Sequence, residues 1–351
     1  MKVGIFTLLF LIGSSFGFSQ TVTLKPNQSG NKIADSVNVF YKALFKALKR
    51  GYVHRKSLDW HTIEQETYIK LSHYDRFEDS LKEITNVFDL IGADHCQVYH
   101  AGIKYTATRK QVSKQLYSDE WRAKYESKPI FEVKLLDEKY GYILIPRIIT
   151  LDNSPETLGK IAQPLYDQIA KLKLEHAIAG WVIDLRFTTG GNAAPMILAL
   201  YDLLGDHVVW TGLNENKNVI DEYELAHGRY LYHSKLIAAI EPEGKLFDKA
   251  KVALITGILT ASSGEVTALA FKGRDNTIFI GEKTAGYTTS NVNWPLPYDT
   301  FIALSSGYDG DRTGRYYPCI SPDVVISGKD NFKDLMSDAN VREAIRFFDA
   351  E

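Results

Sequence analysis

Two apolar runs, Ile178–Leu185 and Lys251–Thr256, constrain this chain more than anything else in it. Neither alternates polar with apolar residues. Such a run suits a strand buried on both faces, and sheets covered on both faces are built from parallel strands with helical crossovers. Each run leads into a turn rich in small residues and then a stretch with helical character. Ile130–Leu136, Tyr140–Ile145, Thr277–Ile280 and Phe301–Leu304 read as further strands. Ser154-Pro155-Glu156 opens a helix, with a capping Ser and Pro at the first helical position. That helix is expected to kink near Pro164. Residues 192–204, Ser263–Lys272 and Val341–Phe348 complete the helical set. The alternation predicts an α/β core over 129–351.

The N-terminal part has a different grammar. Lys2, the apolar run Val3–Ile12, and the small residues Gly17 and Ser19 form the three regions of a signal peptide, residues 1–19. The run is short for a hydrocarbon core of about 30 Å, so cleavage and a periplasmic or secreted location are expected. Ile33, Val37, Phe40, Leu44 and Leu48 recur at helical spacing, as do Phe77, Leu81, Ile84 and Phe88. Asp59 and Trp60 open a shorter helix between them. These features predict a helical N-terminal domain over 20–92. Residues 93–128 begin with the turn Asp94-His95-Cys96, which enters a short strand, and from 100 onward read as a loop-rich connector.

Composition closes off other classes. A formal net charge of −2 leaves no basic field for nucleic acid. There is no HExxH, CxxC, P-loop or strand-borne GxGxxG, so neither metal nor cofactor is expected. Export makes a bridge between Cys96 and Cys319 chemically possible. Two cysteines in a chain of 351 residues are more commonly unpaired, and pairing is not readable from spacing.

Chemistry concentrates in three places. After the run from Lys251, the turn Thr260-Ala261-Ser262-Ser263-Gly264 puts Ser262 at a helix N-terminus, where free N–H groups and the helix dipole favour a developing oxyanion. Serine also caps helices routinely, and the segment alone favours that plainer role. After the run from Ile178, Gly190 and Gly191 let the backbone approach a substrate closely. A simple strand–helix turn explains them equally well. Asp184 and Arg186 read as an ion pair that supports the structure. The third place, His95, gains meaning only from a partner.

Taken together these segments resemble the C-terminal-processing, or tail-specific, serine protease family. The strand with Asp184-Leu185-Arg186 and Gly190-Gly191 resembles its first core motif. Thr260-Ala261-Ser262-Ser263-Gly264-Glu265 resembles its nucleophile motif. Gly281-Glu282-Lys283-Thr284-Ala285-Gly286 and Ile320-Ser321-Pro322-Asp323-Val324 resemble its later turns. The resemblance implies a crotonase/ClpP-like ββα core, a Ser262 nucleophile, and an oxyanion hole from the N–H of Ser263 with that of Gly191 or Gly190. Tyr287 stands where many members carry a catalytic Lys. The interval before the core is too short for a PDZ domain, since a domain needs at least about 50 residues. Both features resemble the branch with tricorn protease and interphotoreceptor retinoid-binding protein, whose peptidases take a His from the N-terminal region as base. His95 matches that position. Tyr316 and Tyr317 stand where that branch has a Glu, so Asp311, or Asp309, is the candidate to orient His95. The α/β-hydrolase alternative fails on chain order, because its His follows the Ser and all nine His here precede Ser262. The implied substrate is a peptide or protein. A non-catalytic binder of apolar ligands or peptides on the same fold is the alternative.

Overall fold

The computed structural model describes residues 31–108, 117–150 and 152–350. The expected signal segment lies outside them. Among the described residues the strands form two sheets, one of six and one of eight.

The six-stranded sheet contains β3 (Glu132–Leu136), β4 (Tyr140–Leu144), β5 (Gly180–Asp184), β10 (Val252–Thr256), β11 (Thr277–Gly281) and β14 (Val324–Val325), in the order β14-β11-β10-β5-β4-β3. All neighbours are parallel except the β3–β4 hairpin. Every residue of β4, β5 and β10 is buried, as their unbroken apolar runs require. Successive residues serve opposite layers. Trp181, Ile183, Val252 and Leu254 face a core with α6 (Pro155–Glu175), α7 (Ala193–Ala199), α8 (Tyr201–Leu204) and α9 (Ser263–Leu269). Val182, Ala253 and Ile255 face α10 (Ala339–Asp349) and α5 (Asp119–Glu126) on the other side. The helix α6 is capped by Ser154 and runs through Pro164 to Glu175.

The eight-stranded sheet is antiparallel. Its members are β1 (Gln97–His100), β2 (Ile103–Thr106), β6 (His207–Leu213), β7 (Val219–Ala226), β8 (Arg229–Tyr232), β9 (Lys235–Ala239), β12 (Thr289–Leu296) and β13 (Thr300–Gly310). They run in the order β2-β1-β13-β6-β7-β8-β9, with β12 pairing β13 off this path. The N-terminal helices α1 (Asn31–Gly51), α2 (Trp60–Leu71), α3 (Phe77–Ser80) and α4 (Glu83–Ile91) cover one end of it. Val37, Phe40, Leu44 and Leu48 of α1 share a single core with Val98, Ile302, Leu304 and Tyr308 of the sheet. The helical segment and the core are therefore joined by common packing.

Two sequence expectations need correction here, and one group of strands went unread. The stretch from 100 onward is not simply loop: β1 and β2 form a hairpin that enters the sheet, and α5 follows residues 109–116, which lie outside the description. That helix is short and anchored by one buried aromatic, Trp121, stacked on Phe187, so it leaves no apolar period to read. The meander β6–β9 went unread because strands such as β7 are half exposed and rich in acids. The strand expected at Phe301–Leu304 is much longer, from Thr300 to Gly310. Cys96 and Cys319 are unbridged, and Cys96 is buried.

Candidate active site

Parallel strands bring their C-terminal ends to one edge, the usual place for chemistry on such sheets. The turns after β5, β10 and β11 meet there. Ala261 donates its N–H to the Thr188 carbonyl at 3.0 Å, and Ala285 donates to the Thr260 carbonyl at 2.9 Å. Ser262 lies at the head of α9 with φ 54° and ψ −114°. A non-glycine residue pays about 1–3 kcal/mol for such a backbone unless its surroundings enforce it. The enforcing group is Glu265, one turn along. Its buried carboxylate accepts the N–H of Ser262 at 3.0 Å, of Gly286 at 2.8 Å and of Tyr287 at 2.7 Å, and the Thr284 hydroxyl. Burial raises the Glu265 pKa, while these four donors pull it back down. One acid thereby ties the serine turn to the Gly281–Gly286 turn.

His95 reaches the same place from the N-terminal part. Gly92 ends α4 in the left-handed conformation, φ 65°, and the chain turns through Ala93–Cys96 into β1. The His95 Nε2 lies 3.2 Å from the Ser262 Oγ, across 167 residues of sequence. Its Nδ1 lies 2.8 Å from the Thr289 Oγ1. The Tyr287 ring packs beside the imidazole, with centroids 5.1 Å apart. Ser263 is a poor competitor for the nucleophile's role, because it is only 4% exposed.

The two glycines differ in what they touch. Gly191 bridges to Ile148, and a Cβ there would fall 2.0 Å from the Ile148 carbonyl oxygen. Gly190, φ +120°, lies against the serine itself: a Cβ built on it would sit 3.6 Å from the Ser262 Cβ. Of the two, Gly190 is the one that lies against Ser262.

Asp311 does not join this group. Its carboxylate accepts the N–H and hydroxyl of Thr313, the N–H of Arg315 at 3.1 Å and the Tyr317 hydroxyl at 2.9 Å, all within its own turn. Asp309 is buried and accepts the Ser290 hydroxyl. The partner of the His95 Nδ1 is instead Thr289, which sequence reasoning missed. It lies on β12, a strand with no clear apolar pattern, and only the pairing of β12 with β13 carries it to the imidazole. Asp184 and Arg186 form the expected ion pair at 2.6 Å, and Arg186 also reaches Asp330 and Asp338. Among the described residues no cluster of His, Cys, Asp and Glu is arranged for a metal ion.

The profile of Peptidase family S41 matches residues 139–326, more than half of the chain. The chain belongs to peptidase family S41. It is 34% identical over 147 residues to the nisin-resistance protein of Lactococcus lactis subsp. lactis. That match spans 41% of this chain and 45% of the relative, so less than half of the relative's length is covered. In fold, the chain is similar to a lipoprotein from Streptococcus agalactiae, with TM-score 0.62, 22% identity, and 93% and 98% of the two chains covered. It is also similar in fold to a photosystem II D1 C-terminal processing protease, with TM-score 0.51, 15% identity, and coverages of 87% and 96%.

Proposed function

We propose that this S41 member is a catalytically active serine peptidase that works by acyl transfer through Ser262 and His95. The observation that carries the reading is the 3.2 Å contact between the His95 Nε2 and the Ser262 Oγ, with Ser262 held in a strained strand–helix turn. In the proposed first step the Ser262 Oγ bonds to the scissile carbonyl carbon while His95 Nε2 takes its proton. The carbonyl electron pair moves onto oxygen, which the N–H groups of Ser263 and Gly190 receive. Collapse breaks the C–N bond, and His95 returns the proton to the leaving amine. Water, deprotonated by the same imidazole, then releases the acyl group and restores Ser262.

Tyr287 stands where many relatives of this type carry a Lys. A phenol is not one of the bases suited to proton transfer near neutrality, and it is the His95 imidazole that lies within reach of the Ser262 Oγ. An imidazole accepts and returns a proton in the neutral range. Support for a peptide substrate comes from the family. The likeness to a nisin-resistance protein makes nisin the first compound to assay, and it favours work outside the cytosol. The signal-like residues 1–19 favour the same location, and among the described residues no helix is long and apolar enough to cross a membrane. Protein recovered from its native cell should then begin near Gln20.

The test is labelling with a fluorophosphonate probe alongside a peptide-hydrolysis assay. Wild type should label and hydrolyse, and Ser262→Ala should do neither while remaining folded. His95→Ala should lose at least about 100-fold in rate, the lower end for removing general acid–base help. Activity should rise with pH as the imidazole gives up its proton and becomes able to act as a base. A folded wild-type protein that neither labels nor hydrolyses would leave the non-catalytic binding reading in its place.

A further inference from the structure

Three polar side chains close a ring on His95. Thr289 and Asn291 lie two apart on β12 and so share a face, and Ser305 of β13 is the cross-strand partner of Asn291. Asn291 donates its Nδ2 to the His95 carbonyl oxygen at 3.0 Å. Its Oδ1 accepts the Ser305 hydroxyl at 2.8 Å. Thr289 donates to the Ser305 Oγ at 3.4 Å, the longest link, and its own oxygen faces the His95 Nδ1 at 2.8 Å. The ring thus begins at the backbone carbonyl of His95 and ends at its imidazole.

We propose that Thr289, Ser305 and Asn291 are positioning residues that fix the tautomer of His95, with Nδ1 protonated and Nε2 free to take the Ser262 proton. The proposal rests on the Ser262–His95 reading. Its logic is donor counting. A carbonyl oxygen only accepts, so the Asn291 amide must turn its NH₂ toward His95 and its oxygen toward Ser305. A hydroxyl has one proton to give. Ser305 gives its proton to Asn291, so its oxygen is left to accept from Thr289. Thr289 gives its proton to Ser305, so its oxygen is left to accept from the imidazole. Nδ1 must then carry the hydrogen. Which ring nitrogen is protonated is set by the bond the other makes. No carboxylate is needed for this, and Asp311 is engaged within its own turn. A hydroxyl orients the imidazole without supplying the negative charge that an acid would lend to the imidazolium.

The experiment is ¹⁵N NMR of histidine-labelled protein, at a pH where the ring is neutral, joined to peptide kinetics. Wild type should show a protonated Nδ1 and a proton-free Nε2 for His95. Ser305→Ala frees the Thr289 hydroxyl to donate to Nδ1, so the Nε2-protonated form should grow and kcat should fall about tenfold or more. General acid–base help as a whole contributes about 100- to 10,000-fold. Thr289→Val should act in the same direction, and Thr289→Ser should restore both the tautomer and the rate. A wild-type ring protonated on Nε2, or a tautomer unchanged by Ser305→Ala in a folded protein, overturns the relay. Hydrolysis that survives Ser262→Ala and His95→Ala overturns the active-site reading instead. The NMR result on wild type is read without any activity, so the two failures stay distinct.

Discussion

Tyr287, which stands where many members of the resembled family carry a Lys, makes two contacts that bear on the site. Its N–H anchors the Glu265 carboxylate at 2.7 Å, and its ring packs against His95 at a centroid distance of 5.1 Å. The first belongs to the backbone and survives any ordinary substitution. The second belongs to the ring and not to the hydroxyl. We therefore expect Tyr287→Phe to keep hydrolysis within about threefold of wild type, because general acid–base help worth about 100-fold or more is assigned elsewhere. Tyr287→Ala should cost more, since it removes the wall that limits where the imidazole rests. Steady-state kinetics on the two variants checks this, and a Phe variant as inactive as the Ala variant would assign the phenol a chemical role.

The strand β5 and the turn that leaves it show how an element is held in register. Arg186 lies two residues beyond the end of β5 and is only 3% exposed. It pairs with Asp184 at 2.6 Å, with Asp330 at 2.6 Å and with Asp338 at 2.9 Å, and it lies over the Phe332 ring. Asp184 also accepts the Tyr142 hydroxyl from β4 at 2.8 Å, so one cluster joins two strands to the C-terminal segment. Removing one member of a buried ionic group leaves the others uncompensated and costs about 3–5 kcal/mol. Arg186→Met should lower stability by that order in urea unfolding. The Gly190 turn starts four residues later, so probe labelling of Ser262 should fall with it even where the protein stays folded. A loss below about 1 kcal/mol would show that the cluster is not what holds this turn.

The molecule as a whole brings together residues separated by long stretches of sequence, and it buries acids to do so. Asp309, at the end of β13, is 3% exposed, and its pKa is raised to about 7 by burial first and by the nearby Glu265 charge second, with the Ser290 hydroxyl opposing. Below the ordinary value of 3.8 both folded and unfolded chains hold this proton, and it contributes nothing to the balance. Between 3.8 and about 7 the folded chain keeps a proton that the unfolded chain has released, so stability falls as pH rises across that window. Above it the full cost remains, of order 4 kcal/mol for a shift of this size. Asp309→Asn keeps an acceptor for Ser290 and cannot ionise. Its melting temperature should exceed that of wild type at pH 8, with a smaller advantage at pH 5. An equal difference at the two pH values would mean that Asp309 titrates as an ordinary carboxyl.

What the residues determined alone was local or periodic. The runs at 178–185 and 251–256 are apolar enough to require burial on both faces, and both became central strands of the parallel sheet. The segment Thr256–Glu265 carries in ten positions the strand end, the helix start and the serine; alone it favoured a plain cap, and the family resemblance made Ser262 the candidate nucleophile. Tertiary structure decided whatever depends on chain meeting chain at a distance. Thr289 carries no signal of its own, and it reaches His95 only because β12 and β1 pair with the same strand, β13. Asp311 looked available because a sequence does not show how a carboxylate is engaged, and a turn that closes on Thr313, Arg315 and Tyr317 uses it up. The partly exposed strands β7 and β9 and the single-anchor helix α5 escaped for the opposite reason, since partial burial leaves no period in the residues. Periodicity records which face a segment buries, and only the folded chain decides which distant groups share that face.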